Sequence, residues 1–304
     1  VNAARLKDSG ERNDVAIAGL NHKMGQRGVT NTVLNFGDTQ FNPGGENGAV
    51  GYLVGEPHRG IVYMFQMMNE ARMAVGMGAV ALGYTGYLKS VQYARERPQG
   101  RPLDVKDPTT PQVPIVEHPD VRRMLLAQKA YAEGGLALGL YCARLVDDEK
   151  TGSPEESMAA KTLLDVLTPI AKSWPSQWCL KANELAVQVL GGAGYTIDYD
   201  VEQHYRDNRL NPIHEGTEGI QAGDLLGRKV LMDGGKKLQK LAGTLQEFAE
   251  ENEGDEHIGD YVNQLGKAAQ QLGSITMVIG QKAMSGPEGA DEVNAAAVDY
   301  LRFF

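Results

Sequence analysis

The stretch Pro212-Ile213-His214-Glu215-Gly216-Thr217-Glu218-Gly219-Ile220-Gln221 decides how this chain reads. It sets one carboxylate, Glu215, on a Gly-flanked turn before a helical run over residues 217–231. A general base must project from a rigid turn, and Gly216 lets backbone come close to a flat ligand. Apolar surroundings would raise the pKa of such a carboxylate toward working pH, as base catalysis favours. Taken alone, a Glu beside Gly is also read as a solvated loop residue. Two motifs precede it: Gln188-Val189-Leu190-Gly191-Gly192-Ala193-Gly194-Tyr195 and Tyr205-Arg206-Asp207.

Other readings of these motifs are narrower. A metal site fails on spacing, because His214-Glu215-x-x-Glu218 lacks the second His of a zinc-protease helix. The remaining histidines, His22, His58, His118, His204 and His257, are scattered singly. Gly191-Gly192-Ala193-Gly194 follows a helix rather than a strand and does not match G-x-G-x-x-G. It reads as a helix stop, and bare amides at such a turn also suit a pyrophosphate. Arg95, Arg97 and Arg101 cluster around the end of a long helix. Cations there are favourable by about 0.3–1 kcal/mol, and an Arg also holds phosphate bidentately. Asn69-Glu70-Ala71-Arg72 reads as a surface charge pair, and the Met64 to Met77 set as core filler.

Working outward, residues 61–97 contain no Pro and predict a helix of unusual length. Gly76, Gly78, Gly83 and Gly86 would each cost it roughly 1 kcal/mol against Ala, which predicts close approach of a neighbouring helix. A Pro-rich loop follows over 98–119. Further helices are predicted over 119–147, over 154–190 with a kink near Pro169 or Pro175, and over 201–209. Residues 1–57 have strand character at 14–20, 30–36 and 49–54, separated by Gly, Asn and Pro clusters. After Gly234-Gly235, Leu238, Leu241, Leu245 and Phe248 share one helical face. Ile258, Val262, Leu265, Ala269, Leu272 and Ile279 continue the stripe beyond an acidic loop over 250–256. This stripe is expected to pack on the bundle, on a side away from Glu215.

Composition excludes several classes. The 304 residues are 42% hydrophobic and 23% charged, ordinary for a globular protein. No apolar run approaches the roughly 20 residues of a membrane span. Cys142 and Cys179 form no C-x-x-C pair, so a disulfide framework or zinc ribbon is not indicated and a reducing, cytoplasmic setting is expected. The net charge of −9 makes a poor generic nucleic-acid binder. The chain reads as incomplete, opening at Val1 in a loop over 7–12 and stopping at Phe304 inside an apolar pattern over 295–304. Tyr300, Leu301, Phe303 and Phe304 need something to pack on, and the last turns are expected to be the least ordered.

In their order, these motifs resemble the C-terminal domain of the acyl-CoA dehydrogenases. The resemblance implies a mainly α fold: an antiparallel helical bundle (58–235), preceded by the tail of a small β-domain (1–57) and followed by an extra helical segment (236–304). It implies FAD and an acyl-CoA substrate, with Glu215 as the base that removes the α-proton of the thioester. Arg97, Gln188, Gly191 and Gly192 resemble contacts to the FAD of a neighbouring subunit, and Thr217 and Gln221 resemble FAD contacts too. Arg72 stands where the family has an Arg near the CoA moiety, and Gly216 lies on the substrate side. The implied assembly is a homo-oligomer, dimer or tetramer, and the implied acceptor an electron-transfer flavoprotein. An acyl-CoA oxidase, a non-catalytic helical module or a DNA-binding relative are the alternatives. Two features resemble the larger bacterial members that include the 3-methylmercaptopropionyl-CoA dehydrogenases. These are the long loop 100–119, with Gln99-Gly100 in place of Phe-Gly, and the segment after residue 235. His214 departs from the usual Tyr.

Overall fold

The computed structural model describes residue 6, residues 9–102 and residues 104–304, the side chain of Gln66 excepted. Lys7 and Asp8, part of the loop expected at 7–12, lie outside the described residues. The chain divides between Met68 and Asn69 into two compact units.

In the first unit, β1 (Val15–Leu20) pairs antiparallel with β2 (Thr32–Phe36). The register runs Val15 to Phe36 and Ile17 to Leu34, then slips at a bulge before Gly19. The third strand expected at 49–54 does not form. Instead the side chain of Asn13 takes the place of a strand neighbour: its Nδ2 donates to the Val50 carbonyl (3.0 Å) and its Oδ1 accepts from the Val50 amide (2.9 Å). One residue pinned by an amide satisfies its backbone without extending a ladder. The buried Asp14 carboxylate accepts from the amides of Thr39, Gln40 and Phe41.

The second unit is helical. α1 (Gly60–Glu96) enters it, and α2 (Pro119–Thr151) and α3 (Pro154–Leu190) come next. Gly152 and Ser153 alone link α2 to α3, so the two lie antiparallel. Ser153 closes a capping box with Glu156 at the start of α3. α3 runs as one helix through Pro169 and Pro175. Pro175 removes the amide that would bond the Ala171 carbonyl, and Gly76 of α1 packs against that carbonyl, where a Cβ would overlap its oxygen. Gly83 and Gly86 meet Cys179 and Asn183 of α3 in the same way, whereas Gly78 faces open space. Three of the four glycines thus bring α1 against α3.

α4 (Val201–Asn208) leads to the Glu215 turn, then α5 (Glu218–Gly223) passes into a π-helical stretch (Asp224–Leu231). The predicted single helix over 217–231 therefore changes its hydrogen-bond period at Asp224. Three helices close the chain: α6 (Lys236–Glu251), α7 (Gly259–Ala283) and α8 (Pro287–Phe303). Leu241, Leu272 and Ile279 of the predicted stripe are buried in the main core, with Ala297, Tyr300 and Leu301 of α8. Each such side chain contributes about 1.5–3 kcal/mol by leaving water. The same core holds Ala222, Leu225, Leu226 and Val230. Two expectations are corrected here. Tyr300 and Leu301, two of the four end residues expected to lack cover, find it within this chain, while Phe303 stays 40% exposed. The segment also does not keep away from Glu215, because α8 packs on α5, the helix just after that turn.

Candidate active site

The Glu215 turn hangs between α4 and α5 and is fixed from beneath by a chain of buried amides. Asn183 on α3 donates to the Leu82 carbonyl of α1 at 2.9 Å. Asn208 donates to the Ala79 carbonyl (3.2 Å) and to Asn183 Oδ1 (2.6 Å). Asn211 donates to Asn208 Oδ1 (2.8 Å), and the His214 Nε2 lies 3.1 Å from Asn211 Oδ1. Asn211 Oδ1 can only accept, so the assigned tautomer carries its proton on Nε2. Asn183 and Asn208 are fully buried and Asn211 nearly so. Each satisfied amide rigidifies the turn, because breaking one strands a polar group in the interior.

A cation completes this support. Lys172, on α3 between the two prolines, is fully buried. Its Nζ donates to the carbonyls of Asn211 (2.7 Å) and Gly216 (2.8 Å), bracketing the turn. Burial and the nearby Arg72 charge lower its pKa to about 8, against the pull of Glu218 and Glu215. Lys172 thus stays charged near neutral pH. Burial, then the Lys172 charge, lowers the pKa of His214.

Glu215 itself has φ 54°, a left-handed conformation rare for a residue with a Cβ. Its carbonyl accepts from Gln221 Nε2 at 3.0 Å. Its carboxylate is exposed, so the apolar surroundings expected around it are not supplied by this chain. Gly216 has φ 94°, and a Cβ there would strike Gln221 Nε2. Thr217 caps α5 by accepting from the Ile220 amide (3.4 Å). Gln221 is fully buried, and its Oε1 has no partner among the described residues.

Arg72 lies beneath the turn rather than at a surface. It is 4% exposed and gives Nη1 to Asp224 Oδ2 at 2.9 Å, where the sequence alone reads a surface pair with Glu70. Glu70 instead faces Lys150.

Arg97, Gln188, Gly191 and Gly192 gather elsewhere, lining one hollow of about 610 Å³ with His118, Tyr93 and Tyr199. Arg97 sits just past α1, where its carbonyl accepts from the Ile115 amide (2.9 Å). Gly191 caps α3 at φ 59°. From Lys172 to Gln188 the rise along α3 is about 24 Å, so the base turn and this hollow mark two separate places along one helix.

The sequence did not single out Lys172, Asn183, Asn208 or Asn211. A lysine among apolar residues between two helix prolines was the available signal.

Residues 58–230 match the family model described as "Acyl-CoA dehydrogenase, C-terminal domain". The chain belongs to the acyl-CoA dehydrogenase family. Residues 241–304 match a second model, "Acetyl-CoA dehydrogenase C-terminal like". The chain is similar to 3-methylmercaptopropionyl-CoA dehydrogenase of Ruegeria pomeroyi, at 40% identity over 77% of this chain and 38% of that protein. It is also similar to a broad-specificity linear acyl-CoA dehydrogenase of Mycobacterium tuberculosis, at 36% identity over 97% of this chain and 48% of that one. In fold it resembles an acyl-CoA dehydrogenase complexed with FAD from Bacillus anthracis, with a TM-score of 0.72 at 22% identity over 95% of this chain and 48% of that chain. The chain thus spans less than half the length of these acyl-CoA dehydrogenases. Among the described residues, no helix is long and apolar enough to cross a membrane.

Proposed function

We propose that the full-length protein is a FAD-dependent acyl-CoA dehydrogenase. It oxidises an acyl-CoA thioester to the 2-enoyl-CoA, and Glu215 removes the α-proton. The observation that carries this reading is the backbone at Glu215. A non-glycine residue at positive φ costs on the order of 1–3 kcal/mol and persists only where its surroundings over-determine it. Lys172 and Gln221 do so here, while the carboxylate projects outward. A base fixed in this way approaches the α-carbon from one face and leaves the other for hydride departure.

FAD, when bound, supplies the acceptor for the β-hydride. Arg97, Gln188, Gly191 and Gly192 are suited to hold it at the hollow, and Thr217 and Gln221 at the base turn. Gly192 supports this fit. It has ordinary helical dihedrals (φ −56°, ψ −34°), and an added Cβ would meet nothing within 4 Å. Neither conformation nor packing within this chain calls for glycine there, whereas a ligand lying on bare backbone does. Gln221 Oε1, without a partner among the described residues, offers a second polar contact. Arg72 and Gly216 are assigned to the acyl-CoA side. Two places on one chain suit an FAD shared between subunits, hence a dimer or tetramer. The acceptor in this reading is an electron-transfer flavoprotein and the compartment cytoplasmic. Residues 1–57 form the tail of a β-domain, 58–235 the bundle and 236–304 the added segment.

Anaerobic addition of acyl-CoA to the full-length protein tests the reading. Flavin should bleach, and Glu215→Gln should abolish bleaching while flavin stays bound. Rapid reoxidation by air would indicate an oxidase. Near-normal reduction in Glu215→Gln would remove the residue from its role.

A further inference from the structure

Glu218 stands three residues after Glu215, in the first turn of α5. Its carboxylate is only 17% exposed and is gripped from two directions. Gln177 of α3 donates Nε2 to Oε2 at 2.7 Å. Arg302 of α8 donates Nε to Oε1 at 2.9 Å and Nη2 to Oε2 at 3.1 Å, a two-pronged guanidinium–carboxylate pair. Arg302 comes from the end of the chain, 84 residues away in sequence.

Half of the Arg302 side chain faces solvent, and an isolated exposed pair of this kind contributes little to stability. Here the pair is not isolated. The residue before it, Leu301, and Tyr300 are each 3% exposed, and they share a core with Ala222, Leu225 and Leu226 just beyond Glu218. The backbone of α8 is therefore set by apolar packing before the guanidinium reaches its partner. The planar fork loses less rotamer freedom per hydrogen bond than a lysine would. The turn itself is strained at Glu215, so its geometry depends on what anchors its two ends. Lys172 holds the inner side through the Asn211 and Gly216 carbonyls. The buried Arg72–Asp224 pair holds the far end of α5, and Glu218, tied to both α3 and α8, holds the end next to the turn.

We infer that Arg302 is a positioning residue for the base: the C-terminal segment reaches back through the Arg302–Glu218 pair to hold the turn that carries Glu215. This rests on the assignment of Glu215 above. The segment is then part of the active-site framework, and its loss or loosening lowers the rate of proton removal without touching substrate.

The test uses the full-length flavoprotein. Arg302→Gln should slow single-turnover flavin reduction at saturating acyl-CoA by about fivefold, with the substrate dissociation constant unchanged. Amide exchange across residues 213–221 should quicken by a similar factor. Arg302→Lys should recover part of both effects. Glu218→Gln combined with Arg302→Gln should be no worse than either single change, because both remove the same interaction. Lys282→Gln, which removes the Lys282–Glu292 pair elsewhere in the segment, should change neither readout. Unchanged exchange at 213–221 in Arg302→Gln would overturn the inference. Should the wild type fail to bleach with acyl-CoA, the enzymatic reading falls, and the exchange measurement still decides whether α8 holds the turn.

Discussion

Lys172 donates to the Gly216 carbonyl at 2.8 Å, so a buried ammonium supports the main chain directly after Glu215. Its pKa near 8 has a thermodynamic signature. In the unfolded chain a lysine titrates near 10.4, so between about pH 8 and pH 10 the unfolded state holds this proton more tightly. Stability from this group rises with pH across that window. Cys142 and Cys179, whose thiols burial pushes up to about 11 and about 12, act in the opposite sense but cancel in a comparison. The difference in unfolding free energy between wild type and Lys172→Met should therefore grow in favour of wild type from neutral pH to about pH 10. A difference that stays flat in urea titrations would refute the assignment.

Arg72 presents a choice between packing and substrate. Arg72→Met leaves the buried Asp224 with only the exposed Arg228 at 3.6 Å as a cation partner, which should cost up to about 3–5 kcal/mol. Arg72→Met with Asp224→Leu should regain most of that in chemical denaturation. If Arg72→Met instead leaves stability intact and raises KM, the residue serves CoA directly.

The glycines of α1 make a paired prediction. Gly76→Ala drives a methyl into the Ala171 carbonyl and should destabilise by about 1–3 kcal/mol. Gly78→Ala meets nothing within 4 Å and should stabilise by about 0.5–1 kcal/mol through helix propensity. Thermal unfolding of the two variants should shift in opposite directions.

Arg97 should matter to cofactor and assembly together. In the full-length protein, Arg97→Ala should lower FAD retention and shift the oligomer toward smaller species, read by flavin absorbance across a sizing column. A fully flavinated monomer would contradict the shared site.

Much of this was legible from local pattern. Residues 61–97, 119–147 and 154–190 read as helices, the first from its lack of Pro and its Met, Ala and Leu content, and α1 to α3 match them closely. The Gly191 stop and the Glu215 turn were marked by glycines whose positive φ the structure shows. The features that escaped are non-local. Nothing around Asn13 indicates that its amide would stand in for a strand at Val50, and nothing near Arg302 points to Glu218. Asn183, Asn208 and Asn211 look like ordinary helix and loop amides until folding places them in one line. Nothing next to Lys172 in sequence indicates that the Asn211 and Gly216 carbonyls would meet its ammonium.

The π-helical stretch Asp224–Leu231 fixes how many residues must stand between two anchors. Asp224 faces Arg72 at one end, and Lys229 pairs with Asp165 near the other. Each residue turns an α-helix by about 100°, and a wider turn absorbs one extra residue without rotating the helix beyond it. Deleting a single residue from this stretch would restore ordinary winding and swing either Asp224 or Lys229 off its partner. An insertion or deletion here is thus more disruptive than most point changes, and chain length in this turn is as much a determinant of the site as the identity of any side chain in it.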